Sequence, residues 1–267
     1  MMPILCTRAP VMLVLPLLVL PLSGCDIATA DFQSQETAEW RQSYEIEPGG
    51  QVEIINVNGL IDVRPSAGGN TVEVVAVKRA RGGSPEAARE ALQLVTIRED
   101  VSPRAVKLQT TYPRTSGLFS RGGVEVRYTV SVPASSQVRF TTTNGGIEVR
   151  GLSGNVHLRT TNGGIRAEAI SGALDASTTN GGVEADVSRV TDAGVRLACT
   201  NGGIQLRLPA DTRASISASV TNGGIEADGL TLERTESSRR RLEAQLNGGG
   251  PPVHLSGTNG GIRISGR

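Results

Sequence analysis

The chain has 267 residues, with 27 basic and 26 acidic side chains and a formal charge of +1. That length suits one large all-β domain or two small ones, and the charge balance leaves no electrostatic footprint for nucleic acid. Only seven aromatic residues occur (one Trp, three Tyr, three Phe), which leaves no evident aromatic platform for stacking sugars.

Residues 1–24 read as a targeting segment rather than fold material. Arg8 supplies a basic start, and residues 11–22, VMLVLPLLVLPL, supply a short apolar run. Its length, with Pro16 and Pro21 inside it, argues against a permanent membrane-spanning helix. The run ends in Leu22-Ser23-Gly24-Cys25, which resembles the bacterial lipobox. That resemblance implies cleavage before Cys25, acylation of Cys25, and membrane attachment through the lipid. An ordinary signal peptide cut nearby is the alternative. Cleavage would remove Cys6 and leave Cys199 without an internal disulfide partner. It would also remove Arg8 and no acid, leaving 26 charges of each sign. Residues 25–40, polar and short, read as a tether.

Residues 41–267 read as a single domain. In QVEIINVNGLIDV, the positions Val52, Ile54, Asn58, Ile61 and Val63 alternate as strand, turn, strand. Further strands are expected at Val72–Val77, Val106–Leu108 and Val124–Val132. One short helix is expected near residues 85–95, where Ser84 can cap, Pro85 suits the first position, and EAAREALQLV comes next. Residues 41–137 would cap one end of the repeats that begin at residue 138.

From residue 138 the chain repeats itself. The string T-N-G-G-[IV] occurs at Asn144, Asn162, Asn180, Asn201, Asn222 and Asn259, at spacings of 18, 18, 21, 21 and 37. Six residues before each Asn stand Val138, Val156, Leu174, Val195, Ile216 and Val253; three after stand Ile147, Ile165, Val183, Ile204, Ile225 and Ile262. Columns four and two before, and five after, are also apolar or small, and those between are mostly polar. That is period 2 on both sides of a corner. One such unit cannot bury its apolar row alone, whereas stacked units about 4.8 Å apart build a continuous core. The predicted architecture is all-β: a parallel β-solenoid, β-helix-like, with T-N-G-G-[IV] corners. Regular coils span 138–229, an exposed excursion spans 230–252, and the last coil spans 253–267. An antiparallel sandwich with N-G hairpins is the rival, but it does not require identical turns in identical phase.

The corner residues have a physical role. Asn and Gly tolerate positive φ. A stacked Asn can bond the Asn above and below, pairing polar groups that a corner would bury. Thr precedes the Asn in all six units and suits a ladder. Phosphate binding lacks its signatures, GxGxxG or GxxxxGK[ST] before a helix. A calcium-binding repeat would need an Asp in each turn. The second outward column, Thr141, Arg159, Ser177, Ala198, Ser219 and Ser256, is not the second Thr row that ice binding would use.

No catalytic residue, cofactor site or metal site is expected. Glu184 with Asp186, and Glu226 with Asp228, point outward and could approach glycosidase spacing with acids of adjacent coils. They occupy repeat phases, however, where a catalytic site should break the pattern. Four after each Asn, opposite charges often stack, as in Glu148, Arg166 and Glu184. His157 and His254 share one column but fall in the second and sixth units, four steps or about 19 Å apart in chain order. Cys199 stands in an inward column and reads as small core filler.

The pieces PGGQVEIINVNGLIDV, VEVRYTVSVPASSQVRFTTTNGGIEV and LNGGGPPVHLSGTNGGIRIS resemble the bacterial "putative adhesin" domain family, over about residues 45–266. The resemblance implies solenoid coils and an adhesin-like role without catalytic residues. The expected function is a lipid-anchored, non-enzymatic interaction module of the cell envelope, periplasm-facing or at the cell surface. Its partner would be an envelope protein or polysaccharide, not nucleic acid. Two alternatives stand beside it: a structural or regulatory envelope lipoprotein acting through a protein partner, and a carbohydrate-active β-helix enzyme.

Overall fold

A computed structural model describes residues 34–112 and 123–267. The targeting segment, Cys25 and the first part of the expected tether lie outside those residues. In chain order the elements begin with β1 (Ser34–Glu45), β2 (Gln51–Ile55), β3 (Ile61–Pro65), β4 (Thr71–Gly82), α1 (Pro85–Leu94), β5 (Thr96–Ser102), β6 (Ala105–Thr111) and β7 (Val124–Val132). The repeats comprise β8 (Gln137–Asn144), β9 (Ile147–Arg150), β10 (Val156–Asn162), β11 (Ile165–Ile170), β12 (Leu174–Asn180), β13 (Val183–Val187), β14 (Val195–Asn201), β15 (Ile204–Leu208), β16 (Ala214–Asn222) and β17 (Ile225–Asp228). The chain closes with β18 (Leu232–Ser237), β19 (Arg241–Leu246), β20 (Pro252–Asn259) and β21 (Ile262–Gly266).

The strands form one eleven-stranded and one ten-stranded sheet. Each repeat places the strand ending in Asn in the first sheet, crosses on Gly-Gly, and places the next strand in the second. Neighbouring repeats pair in parallel and in register, as Val156↔Leu174 and Asn162↔Asn180 do in one sheet and Ile165↔Val183 does in the other. The molecule is therefore mostly β with one short helix and long parallel sheets, consistent with a solenoid. Parallel pairing throughout the coils does not fit the antiparallel hairpin sandwich. Residues 51–65 form a seventh coil: Val52 pairs with Val138, Ile61 with Ile147, and Asn58 bridges Asn144.

The core is the strip between the sheets. The predicted inward columns are buried, including Val138, Phe140, Leu158, Leu197 and Leu255 in one sheet and Ile147, Ala167, Leu206 and Ile264 in the other. Burying branched aliphatic side chains in stacked rows is the main favourable term, about 25 cal/mol per Å² of apolar surface. The helix forms where expected: Ser84 Oγ accepts from Ala87 N at 3.2 Å, and Ala88, Ala91 and Leu92 face inward. It packs against β1 and β4.

Four expectations need correction. The coils do not stack in chain order. The last coil, β20–β21, lies between β14–β15 and β16–β17, so Val195 pairs with Val253 and Val253 with Ile216. This is possible because every coil presents the same apolar phases, so the register fits either way. The segment 230–252 is not a free excursion. Its strands β18 and β19 form an antiparallel hairpin that extends the eleven-stranded sheet beyond β16 and buries Leu242, Ala244 and Leu246. The tether read over 25–40 ends earlier, because β1 begins at Ser34 and pairs with β4 along its whole length. Finally, the Asn ladder is exposed rather than buried, and the buried hydrogen-bonding row lies two residues earlier.

That ladder joins seven side chains. Each Nδ2 donates to the Oδ1 of the coil beside it: Asn144 to Asn58, Asn162 to Asn144, Asn180 to Asn162, Asn201 to Asn180 and Asn259 to Asn201, all at 2.8 Å, and Asn222 to Asn259 at 2.9 Å. The buried row satisfies corner carbonyls. Thr160 Oγ1 donates to Gly145 O and Thr178 Oγ1 to Gly163 O, each at 2.8 Å, and Cys199 Sγ reaches Gly181 O at 3.0 Å. Burial pushes the Cys199 thiol above its ordinary pKa, as suits a core group. The first Gly of five of the six repeat corners, at Gly163, Gly181, Gly202, Gly223 and Gly260, is required twice over. Gly181 has φ +141°, and a Cβ there would run into the Gly163 carbonyl of the neighbouring coil.

Gly181→Ala is expected to lower stability by about 2–3 kcal/mol through overpacking, read as a lower denaturant midpoint. An unchanged midpoint would remove close corner stacking as the constraint. Asn180→Ala breaks two ladder bonds and should cost about 1–2 kcal/mol. Cys199→Thr, which reproduces the Thr160 and Thr178 pattern, should stay within about 0.5 kcal/mol of the native chain.

Candidate functional site

In the regular coils every inward position is committed to packing, so chemistry is confined to the outward rows. On the ten-stranded sheet those rows are largely self-neutralised. Arg64 meets Asp62 at 2.6 Å, Arg150 meets Glu168 at 3.1 Å, Arg166 meets Glu184 at 2.9 Å, Arg263 meets Glu226 at 2.7 Å and Arg267 meets Asp186 at 3.4 Å. Of the carboxylates weighed for glycosidase chemistry, Glu184, Asp186 and Glu226 are thus ion-pair partners. Glu184 and Glu226 stand three rungs apart, about 14 Å, with Gln205 and Arg263 between them. That separation rules out only Glu184 and Glu226 as a pair with each other, since paired carboxylates lie about 5–10 Å apart.

The eleven-stranded sheet differs. Five residues before the corner, one outward row runs Glu53, Arg139, His157, Asp175, Arg196, His254, Ser217 across adjacent strands. The next row runs Thr141, Arg159, Ser177, Ala198, Ser256, Ser219. Beyond it lie the exposed threonines that precede each Asn. Small residues at the second corner, Ala173, Ala193 and Gly194, lower the surface beside the first row. The result is a groove of about 390 Å³, with Gln51, Gln137, Asn155 and Pro252 also lining it.

Charge on this face of the sheet is unevenly satisfied. Glu53 is held by Lys107 at 3.2 Å, and Asp175 by His157 Nδ1 at 3.2 Å. Among the described residues, no carboxylate lies within ion-pair distance of Arg139, Arg159 or Arg196. His157 is mostly buried, and its Nε2 has no hydrogen-bond partner. Burial holds its pKa below the ordinary histidine value; Asp175 opposes this, while Arg139 and Arg159 reinforce it.

The column rule located both histidines, but the rung count from chain order was too large. Because the last coil is inserted, His157 and His254 are three rungs apart, about 14 Å. That is still too far for one metal, and no group of three or more His, Cys, Asp or Glu able to hold a metal occurs among the described residues. The six corner asparagines come together as the ladder. Cys25 lies outside the described residues. The open arginines stand before the corner, outside the column of alternating charge that follows it. The signal was present as Arg139, Arg159 and Arg196 in outward columns.

His157 couples protonation to folding. Its lowered pKa means that the unfolded chain takes up the proton first as pH falls. The stability it contributes is complete above the ordinary histidine range, near 6.5, and is lost as pH falls through that range toward the folded value. The melting temperature of the native chain should therefore drop more between pH 7.5 and 5 than that of His157→Gln. Equal drops would remove His157 as a contributor.

No curated protein matches the chain. Among solved structures, it is similar to a "putative cell adhesion protein" from Clostridium sporogenes ATCC 15579, at 10% identity and TM-score 0.48, over 87% of this chain and 100% of that one. It is also similar to a "putative adhesin" from Bacteroides fragilis NCTC 9343, at 9% identity and TM-score 0.30, over 86% and 97% respectively. The family model described as Toastrack DUF4097 matches residues 43–265. The chain belongs to the Toastrack DUF4097 family.

Proposed function

We propose that this chain is a lipid-anchored cell-envelope protein whose stacked domain binds a partner without turnover, in the manner of an adhesin. The T-N-G-G-[IV] corners serve as scaffold, and the outward rows serve as the contact surface. One observation carries the reading. The eleven-stranded sheet presents a fixed polar array in which guanidinium groups lack acidic partners, while the opposite sheet neutralises most of its own charge. A backbone held by strand pairing across the sheet loses little freedom when it binds, which favours recognition by a preformed surface. The lipobox-like Leu22-Ser23-Gly24-Cys25 supports the anchored part of the reading. The partner class is an envelope polysaccharide or protein, met in the periplasm or at the cell surface.

Fractionation and retention test this together. The native chain should sediment with membranes, and Cys25→Ala should move it to the soluble fraction. The soluble form should be retained by immobilised cell-envelope material, which should be recovered with unchanged chain length. Failure of Cys25→Ala to shift the chain would remove the anchor, and shortening of the envelope material would replace binding with an enzyme.

A further inference from the structure

Building on the binding reading above, we propose that the groove on the outer face of the eleven-stranded sheet binds an acidic polysaccharide: a sugar chain bearing carboxylates at intervals, with hydroxyl-rich residues between them. The cations come first. Arg139 and Arg196 stand in one row, three rungs or about 14 Å apart. Arg159 stands in the adjacent row, near enough to Arg139 that both act on His157. All three are exposed and free of carboxylate partners among the described residues. Guanidinium is planar and weakly hydrated, and it matches a carboxylate with two parallel hydrogen bonds.

The spaces between the cations point to sugar hydroxyls. A hydroxyl both donates and accepts, and the groove offers both functions through the amides of Gln51, Gln137 and Asn155. Asp175 sets the spacing of charge on the ligand. It lies in the same row, between the two arginines, where it can accept from a hydroxyl but would repel an anion. A polymer charged at every unit is opposed there, whereas one with acids set apart is not.

Other macromolecules fit less well. Protein interfaces take most of their energy from buried apolar or aromatic anchors. The exposed large hydrophobics, Leu94 and Val101, lie on α1 and β5, outside the groove. Single-stranded nucleic acid is held largely by aromatic stacking, and the groove lining contains no Phe, Tyr or Trp.

The test is calorimetric titration of the purified full-length chain with three probes: oligohyaluronate, which carries a carboxylate on every second unit, a neutral dextran of similar length, and poly(glycerol phosphate). Oligohyaluronate should bind, more weakly as salt is added, and dextran should not. Arg139→Gln with Arg196→Gln should weaken oligohyaluronate binding by about tenfold or more without altering the melting temperature. Arg166→Gln, on the opposite sheet, should leave binding unchanged. Undiminished binding by the groove double variant, or an equal loss with Arg166→Gln, would overturn the site. Tighter binding of poly(glycerol phosphate) would overturn the ligand class. Retention on envelope material without any oligohyaluronate binding would sink this inference and spare the binding reading, whereas loss of both would remove the two together.

Discussion

The fold depends on how closely one corner can lie on the next. Paired strands repeat at about 4.8 Å, so the backbone that joins the two sheets must stack at that spacing as well. At Gly163, Gly181, Gly202 and Gly260 the carbonyl of the neighbouring coil occupies the place where a Cβ would go. No other residue type meets that condition. The rest of the corner is a consequence. A stacked carbonyl needs a donor, and the interior row supplies Thr160, Thr178 and Cys199. A stacked Asn brings its amide beside the next one, and the ladder forms with all its donors pointing the same way. The outer ladder and the inner Thr–carbonyl row therefore clamp the same turn from both sides.

Because each coil presents the same apolar phases and the same Asn-Gly-Gly corner, the corner fixes register without fixing order. The C-terminal coil could stack beyond β17, and β16 could dock directly on β14, with every column still in phase. Local volume argues for the observed order. In the column two before the Asn, Gly257 stands where other coils have Thr, Cys or Val, and Val220 of the adjacent coil leans over it at 3.3 Å from its ideal Cβ position. The hairpin β18–β19 adds to this by occupying the outer edge of β16. A small residue facing a larger one, and an edge already taken, distinguish arrangements that hydrophobic periodicity alone leaves equivalent.

The same equivalence separates what was legible in the sequence from what was not. Columns of Val, Ile and Leu at fixed distances from Asn announced the coils, and the diluted copy at Val52–Val63 was a true rung. Ser84 and Pro85 placed the helix start. The insertion of β20–β21 was hidden, because order among equivalent rungs depends on three-dimensional volume and on loop reach. The hairpin at 232–246 was masked by its charges: TESSRRR reads as solvated, yet Leu242, Ala244 and Leu246 alternate inward from β19. The groove was half visible. Its histidines stood out by rarity, but its arginines did not, because whether an arginine is open or paired depends on the rung beside it.

Dependence on the neighbouring rung also decides where function can reside in a stacked fold. A repeat constrains only its inward and corner positions, and the outward positions of the same regular coils are free to vary without disturbing the stack. An active arrangement therefore need not interrupt the repeat. In the groove, Arg139, His157, Asp175 and Arg196 come from four consecutive coils whose cores and corners are intact. The ten-stranded sheet shows the alternative use of the same freedom, with Glu and Arg set on neighbouring rungs so that most charges of its coils meet an opposite one. One face is largely closed by its own ion pairs and the other is left with unmatched cations. The proposed contact surface rests on that asymmetry between the faces, rather than on any break in T-N-G-G-[IV].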